Sequence, residues 1–128
     1  MKNYKELEVW KKAINLVIEI YKITKSFPLE ERYGLTSQIQ KSVVSIPANI
    51  AEGWGRSSTK EYIQFLIIAR GSLMELDTHL IISQKLNYIQ IEILEGIQRE
   101  IESIGRMLNR LIQSLKHQSP IPNPQSRN

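Results

Sequence analysis

Apolar residues recur three and four positions apart through four long stretches of this chain, the signature of amphipathic helices. The first stretch runs from about Tyr4 to Ser26 and carries two adjacent rows. One is Leu7, Trp10, Ile14, Val17, Tyr21 and Thr24; the other is Val9, Ala13, Leu16, Ile20, Ile23 and Phe27. A bundle helix facing one core needs only about 3/7 of its surface apolar. Two rows exceed that, so two readings stand. Part of the helix faces another subunit, or the wide stripe contacts two neighbouring helices of its own bundle. Lys11, Lys12, Asn15, Glu19, Lys22 and Ser26 form its wet side. Phe27-Pro28 ends it, and Leu29 to Thr36 makes the connection, with Gly34 as a turn residue.

The second helix follows from Leu35, Ile39, Val43, Ile46 and Ile50, whose spacing continues across Pro47. An interior proline removes one backbone hydrogen bond and crowds the carbonyl four residues back, at about 3 kcal/mol unless the helix bends. The unbroken spacing predicts one kinked helix, with the hydroxyls of Ser42 and Ser45 near the kink. Beside it Gln38, Ser42, Ser45, Asn49, Glu52 and Arg56 share one stripe. That stripe reads as a polar seam lining a site or pore, as a solvated face, or as small residues admitting a close neighbour. Gly53 and Gly55 are placed to end the helix in the left-handed geometry of a C-cap. Trp54 between them reads as a packing plug over the bundle end, with base stacking as the alternative.

Ser58-Thr-Lys-Glu61 is a capping box that opens a third helix, from about Thr59 to Leu86. Tyr62, Leu66, Ala69, Leu73, Leu76 and Leu80 keep heptad spacing, and Ile63, Ile67, Met74 and Ile81 widen the apolar surface. This is the most central helix. Gly71 inside it costs about 1 kcal/mol relative to alanine, which predicts close helix approach there. Asn87-Tyr88 turns the chain into a fourth helix, from about Gln90 to Lys116, with Leu94, Ile97, Ile101, Ile104, Leu108, Leu111 and Leu115 in alternation. Its acids (Glu92, Glu95, Glu100, Glu102) sit early and Arg106, Arg110 and Lys116 late, an order that complements the helix dipole. Residues 1–116 therefore read as one all-α domain, an antiparallel up-down four-helix bundle with a kinked second helix. The polar, proline-rich stretch 117–128 reads as a disordered tail.

At 128 residues the chain can bury a real core. It has no cysteine, which excludes disulfides, thiol catalysis and cysteine–zinc sites and fits the cytoplasm. The charged N-terminus lacks the apolar core of a signal peptide, and no apolar run approaches a membrane span. Seventeen basic against thirteen acidic side chains give a formal charge of +4, which permits an anionic partner without requiring one.

No dinucleotide, phosphate-loop or HExxH pattern occurs. His79 lies four residues after Glu75 with no second copy, unlike the paired Glu-x-x-His of di-iron bundles. No metal, cofactor, small-molecule substrate or catalytic residue is assigned, and the chain reads as non-enzymatic, with His79 at the surface or an interface. Arg70 is flanked by apolar residues and needs a carboxylate if buried, Glu52 or Glu75; with Asn49 these make a structural polar cluster. Candidate phosphate contacts are Lys11, Lys12, Arg56, Lys60, Arg106 and Arg110, against the alternative of ordinary solubility-conferring charge. Such a surface supports nonspecific, salt-sensitive association at roughly 10⁻⁴ to 10⁻⁶ M. Repetition around an oligomer strengthens it by avidity.

Four segments then carry a resemblance: Leu7-Glu-Val-Trp-Lys-Lys-Ala13, Phe27-Pro-Leu-Glu-Glu-Arg-Tyr-Gly-Leu35, Ser45-Ile-Pro-Ala-Asn-Ile-Ala-Glu-Gly53 and Phe65-Leu-Ile-Ile-Ala-Arg-Gly-Ser72. Together, and in this order, they resemble the bacterial four-helix bundle family named for 23S rRNA intervening sequences, over about residues 4–116. Lys41 stands where that pattern has arginine, keeping the charge and losing a bidentate contact. The resemblance implies a cytoplasmic bundle that assembles into a ring, a pentamer, of poorly defined role. Members are encoded within insertions in large-subunit ribosomal RNA genes or as free-standing genes. The family is similar in fold to accessory proteins of diversity-generating retroelements, which bind nucleic acid and a reverse transcriptase through a basic pentamer. Extending that activity here is fold-level analogy. Two functions stand: a homo-oligomeric scaffold binding RNA or DNA, and a protein-interaction adaptor docking through Asn49, Glu52 and Arg56 or an apolar rim, with no nucleic-acid binding.

Overall fold

The computed structural model describes residues 3–118. Among them are four α-helices and no strand: α1 (Glu8–Thr24), α2 (Leu35–Trp54), α3 (Thr59–Lys85) and α4 (Ile91–Lys116). Short 3-10 turns at Tyr4–Glu6 and Leu29–Glu31 precede α1 and α2. Helices adjacent in sequence pack on one another, α2 on α3 most extensively, and α4 closes back on α1. The proline-rich stretch from residue 119 lies outside the described residues, and so does most of the predicted tail.

The first helix starts later than its periodicity predicts. Asn3 caps the 3-10 turn, its side-chain oxygen accepting from the Lys5 amide at 2.8 Å while the Glu6 carboxylate accepts from the Asn3 amide at 3.3 Å. Leu7 then turns extended, with φ −70° and ψ 126°, and separates the turn from α1. Once these caps satisfy the free amides locally, nothing requires the helix to reach back to Tyr4. Of the two apolar rows on α1, Val9, Ala13, Leu16 and Ile20 are buried. Trp10, Ile14 and Val17 are half-buried, and Tyr21 is exposed.

α2 passes Pro47 as one helix, burying Ile39, Val43, Ile46, Pro47 and Ile50. Of the hydroxyls near the proline, Ser42 Oγ lies 2.8 Å from the Gln38 carbonyl of its own helix and also meets α3, and Ser45 Oγ meets α3, as set out below. Gly55 does cap α2, its amide bonded back to the Ala51 carbonyl, but at φ −78° and not in the predicted left-handed geometry: among the described residues no glycine has positive φ, and α2 runs through Gly53 to Trp54. Gly53 serves packing. A Cβ there would stand 2.8 Å from Phe65 Cβ and 2.9 Å from Tyr62 Cδ1, so its hydrogen lets the ends of α2 and α3 close together. Trp54 packs half-buried and edge-on against Tyr62, ring centroids 6.2 Å apart.

Ser58 opens α3, its hydroxyl accepting from the Glu61 amide at 3.1 Å. Tyr62, Leu66, Ala69, Leu73, Leu76 and Leu80 are all buried. Gly71, predicted to mark close helix approach, instead faces open space, with nothing within 4 Å of an added Cβ. The helix ends on Asn87, the left-handed residue at φ 65°, with the Tyr88 amide bonded to the Ser83 carbonyl at 2.8 Å. That is a Schellman closure using asparagine in glycine's place. On α4 the core row is Leu94, Ile97, Ile101, Ile104 and Leu108, then Ile112 and Leu115; Leu111 is half-buried. A straight helix drifts about 20° per heptad from a seven-residue repeat, so towards the end of α4 a four-residue step lands nearer the core than a three-residue one, and Ile112, about five full turns after Leu94, takes the place of Leu111.

Candidate nucleic-acid interface

The polar stripe on α2 divides into two parts. Ser42 Oγ lies 2.7 Å from Glu75 Oε1, and Ser45 Oγ lies 2.8 Å from Ser72 Oγ. Asn49 Nδ2 donates to Ser45 Oγ and to the Ser45 carbonyl, each at 2.8 Å. This part is a seam of small residues against α3, and partners descend α3 as they ascend α2. The other part, Glu52 and Arg56, lies on the surface as an ion pair at 2.8 Å, with the guanidinium 4.8 Å above the Phe65 ring.

The predicted cluster of Asn49, Glu52, Arg70 and Glu75 does not assemble. Glu52 takes Arg56 and Glu75 takes Ser42, while Arg70 Nη1 donates across to α4, to Asn109 Oδ1 at 2.8 Å. Arg70 is only half-buried, so it needs no carboxylate, and its charge stays uncompensated. His79 also departs from expectation: both ring nitrogens are shielded and have no hydrogen-bond partner. Among the described residues no three His, Cys, Asp or Glu side chains gather as metal ligands. No helix there is long and apolar enough to cross a membrane.

Cross-helix contacts put the six candidate cations at one end. Lys12 Nζ reaches Ser103 Oγ at 3.3 Å, tying the first half of α1 to the middle of α4, so the earlier residues of α1 lie along the later residues of α4. Tyr4 shares a shallow depression with Ala48, Glu52, Gly55 and Arg56, and Gly53 meets Tyr62 and Phe65. One half of the bundle thus holds residues 3–14, 46–71 and 103–118. Among the described residues it carries nine Lys or Arg against four Asp or Glu, and the opposite half carries six against nine. A mildly basic sequence folds into a charge-segregated body, which the composition did not reveal.

Within that half the cations form separate groups. Lys11 pairs with Glu8 at 3.5 Å and Lys12 with Glu100 at 3.9 Å, both exposed. Arg56 and Lys60 flank the α2–α3 turn. Arg106 and Arg110 stand exposed on α4, and among the described residues neither they nor Lys60 has an ion-pair partner. Exposed pairs contribute about 0–1 kcal/mol, so a phosphate can displace their carboxylates. An open groove of about 660 Å³ between α1 and α4 is lined by Glu19, Lys22, Arg99 and Glu100. Its mixed charges have no sign to attract an anion.

At the other end Glu31 joins the two loops, a role the sequence reading did not assign. One carboxylate oxygen accepts from the Leu35 amide at 3.0 Å and the other from the Tyr88 hydroxyl at 2.9 Å. That bond, then desolvation, raises the Tyr88 pKa. Burial alone pushes Tyr62 up to about 12, and its hydroxyl has no partner.

A crystal structure of a protein with unknown function from the S23 ribosomal protein family of Bacteroides thetaiotaomicron VPI-5482 is similar, with a TM-score of 0.74 and 27% sequence identity. The likeness covers 82% of this chain and 98% of that one. Comparison with curated proteins finds no match. The family model of the 23S rRNA-intervening sequence protein matches residues 5–110. That match spans most of the chain and agrees with the four-helix architecture, so this chain belongs to the 23S rRNA-intervening sequence protein family.

Proposed function

We propose that the protein is a non-enzymatic, cytoplasmic, homo-oligomeric scaffold that binds RNA or DNA without sequence preference through its basic half. The observation that carries this reading is the charge segregation, nine cations against four acids at one end of the bundle. Uniform solubility charge would have no reason to divide by end. The names of the family and of the similar structure, which refer to 23S rRNA and to a ribosomal protein, agree with an RNA partner.

An up-down order of the helices is supported by the pairings Ser42–Glu75, Ser45–Ser72, Arg70–Asn109 and Gln98–Asp77, each running in opposite senses along its two helices. A ring needs two different patches that fit each other, whereas a two-fold dimer needs one. Two exposed apolar patches support a ring: Ile18, Tyr21 and Val44 on α1 and α2, and Ile67, Ile68 and Met74 on α3. A pentamer is the assembly we assign. Arg56→Glu with Lys60→Glu tests the binding reading: affinity should fall and its salt dependence flatten. Unchanged binding removes those two residues from the interface.

A second reading, a protein-interaction adaptor, is favoured by the opposite half, where Leu29 and Tyr33 are 76% and 88% exposed among net acidic surroundings. A protein captured equally well after nuclease treatment would favour it.

A further inference from the structure

The interface residues that sequence alone selects omit Arg70, which the fold makes one of three neighbouring arginines. Arg70 reaches from α3 to Asn109 on α4 at 2.8 Å. Asn109 stands one helical turn from Arg106 and beside Arg110, and Arg106 and Arg110 are themselves one turn apart, on neighbouring positions of the helix surface. Among the described residues none of the three has a carboxylate within ion-pair distance. The acid on the α3 side, Asp77, two turns along α3 from Arg70, accepts from Gln98 Nε2 at 2.9 Å. Glu102, one turn before Arg106, makes no ion pair with it. Asn109 orients Arg70 without neutralising it, so the site is positive at every member.

The composition of this face narrows the ligand. α4 contains no Phe, Tyr or Trp, and α3 contains none after Phe65. Single-stranded nucleic acid is held largely by bases stacked on aromatic rings, about 1–3 kcal/mol per base. A double helix hides its bases and offers its phosphates on a rigid outer surface. The two exposed aromatic side chains among the described residues, Tyr21 and Tyr33, both lie in the acidic half.

We propose that Arg70, Arg106 and Arg110 form a phosphate-binding face for double-helical nucleic acid, read by its backbone and not by its bases. This rests on the nucleic-acid reading above and adds to it a residue, a face and a strandedness. The guanidiniums have no bases to address in a duplex lying across α3 and α4, so affinity follows charge and salt, and sequence has little effect.

The test is fluorescence anisotropy with a labelled RNA duplex of about 20 base pairs and with one of its strands alone, over a range of salt. Full-length protein is compared with Arg70→Gln, Arg106→Gln, Arg110→Gln and, as a control in the acidic half, Lys85→Gln. The expected result is tighter binding of the duplex than of the single strand. Each arginine variant should weaken duplex binding roughly three- to tenfold and reduce the salt slope by about 0.9, with Lys85→Gln unchanged. Among the described residues Arg106 and Arg110 have no hydrogen-bond or ion-pair partner to lose, so those variants keep the fold even if Arg70→Gln disturbs the contact between α3 and α4. Equal or tighter binding of the single strand overturns the duplex assignment while leaving the parent reading intact. Duplex binding indifferent to all three variants overturns the face. Binding to neither RNA overturns the parent reading itself.

Discussion

Of the four glycines inside helices of this bundle, Gly53 and Gly71 receive opposite signs from the same substitution. At Gly71 an added methyl meets nothing within 4 Å. Gly71→Ala therefore gains the helix propensity and lower unfolded-state entropy of alanine, about 0.5–1 kcal/mol. At Gly53 the same gain applies, but the methyl would stand 2.8 Å from Phe65 Cβ, 2.9 Å from Tyr62 Cδ1 and 3.2 Å from the Tyr62 carbonyl oxygen. Two of these atoms are backbone or fixed to it, so relief requires moving the start of α3 away from α2. Overpacking of this kind costs about 1–3 kcal/mol. Taking its upper part against the propensity gain leaves Gly53→Ala about 1–2 kcal/mol less stable than the parent. The two variants should differ by roughly 2–3 kcal/mol, or about 10 °C in Tm at this chain length. Urea and thermal unfolding followed by circular dichroism, at one fixed protomer concentration, measure both. A Gly53→Ala protein as stable as the parent would refute the close approach of α2 to α3. A destabilised Gly71→Ala would show that its open face is covered.

Other expectations concern single groups. Tyr62 holds its proton more tightly folded than unfolded, so the stability linked to it is fully present below pH 10 and lost as pH rises toward 12. Tyr62→Phe should remove that alkaline loss in a Tm-against-pH series. Because the buried hydroxyl has no partner, the same variant should be neutral or stabilising at pH 7. Glu31→Ala should lower stability by about 0.5–2 kcal/mol, the worth of a lost N-terminal cap, read by urea unfolding. Tyr88→Phe should couple to it in a double-mutant cycle, since both groups share one hydrogen bond; additive losses would argue against the link. Ser42→Val should destabilise by about 0.5–1.5 kcal/mol, the net worth of a hydrogen bond to Glu75, whose exposed carboxylate water can re-solvate, again by urea unfolding.

The four helices were legible because each carries a long row of core positions, and on α3 all six heptad residues are buried. What failed depended on distances between helices, which periodicity does not contain. Gly53, between Glu52 and Trp54, and Gly71, between Arg70 and Ser72, are both single glycines within helical periodicity, yet one is pressed against α3 and the other faces open space. Leu111 was displaced from the core by Ile112 because small departures from a seven-residue repeat accumulate along a long helix. Arg70 was matched to acids close in sequence, while its partner Asn109 lies 39 residues away on the next helix. The cations were nameable one by one, but their gathering at one end follows from which helix ends the fold brings together. A charge count by helix end, instead of along the chain, is the signal that would have found it.

Light scattering coupled to size exclusion tests the central claim, an oligomeric bundle that holds nucleic acid by charge. The account predicts a particle about five times the 14.9 kDa protomer, gaining the mass of a bound RNA duplex at low salt and releasing it at high salt. A particle of unchanged mass with and without RNA at low salt would contradict it.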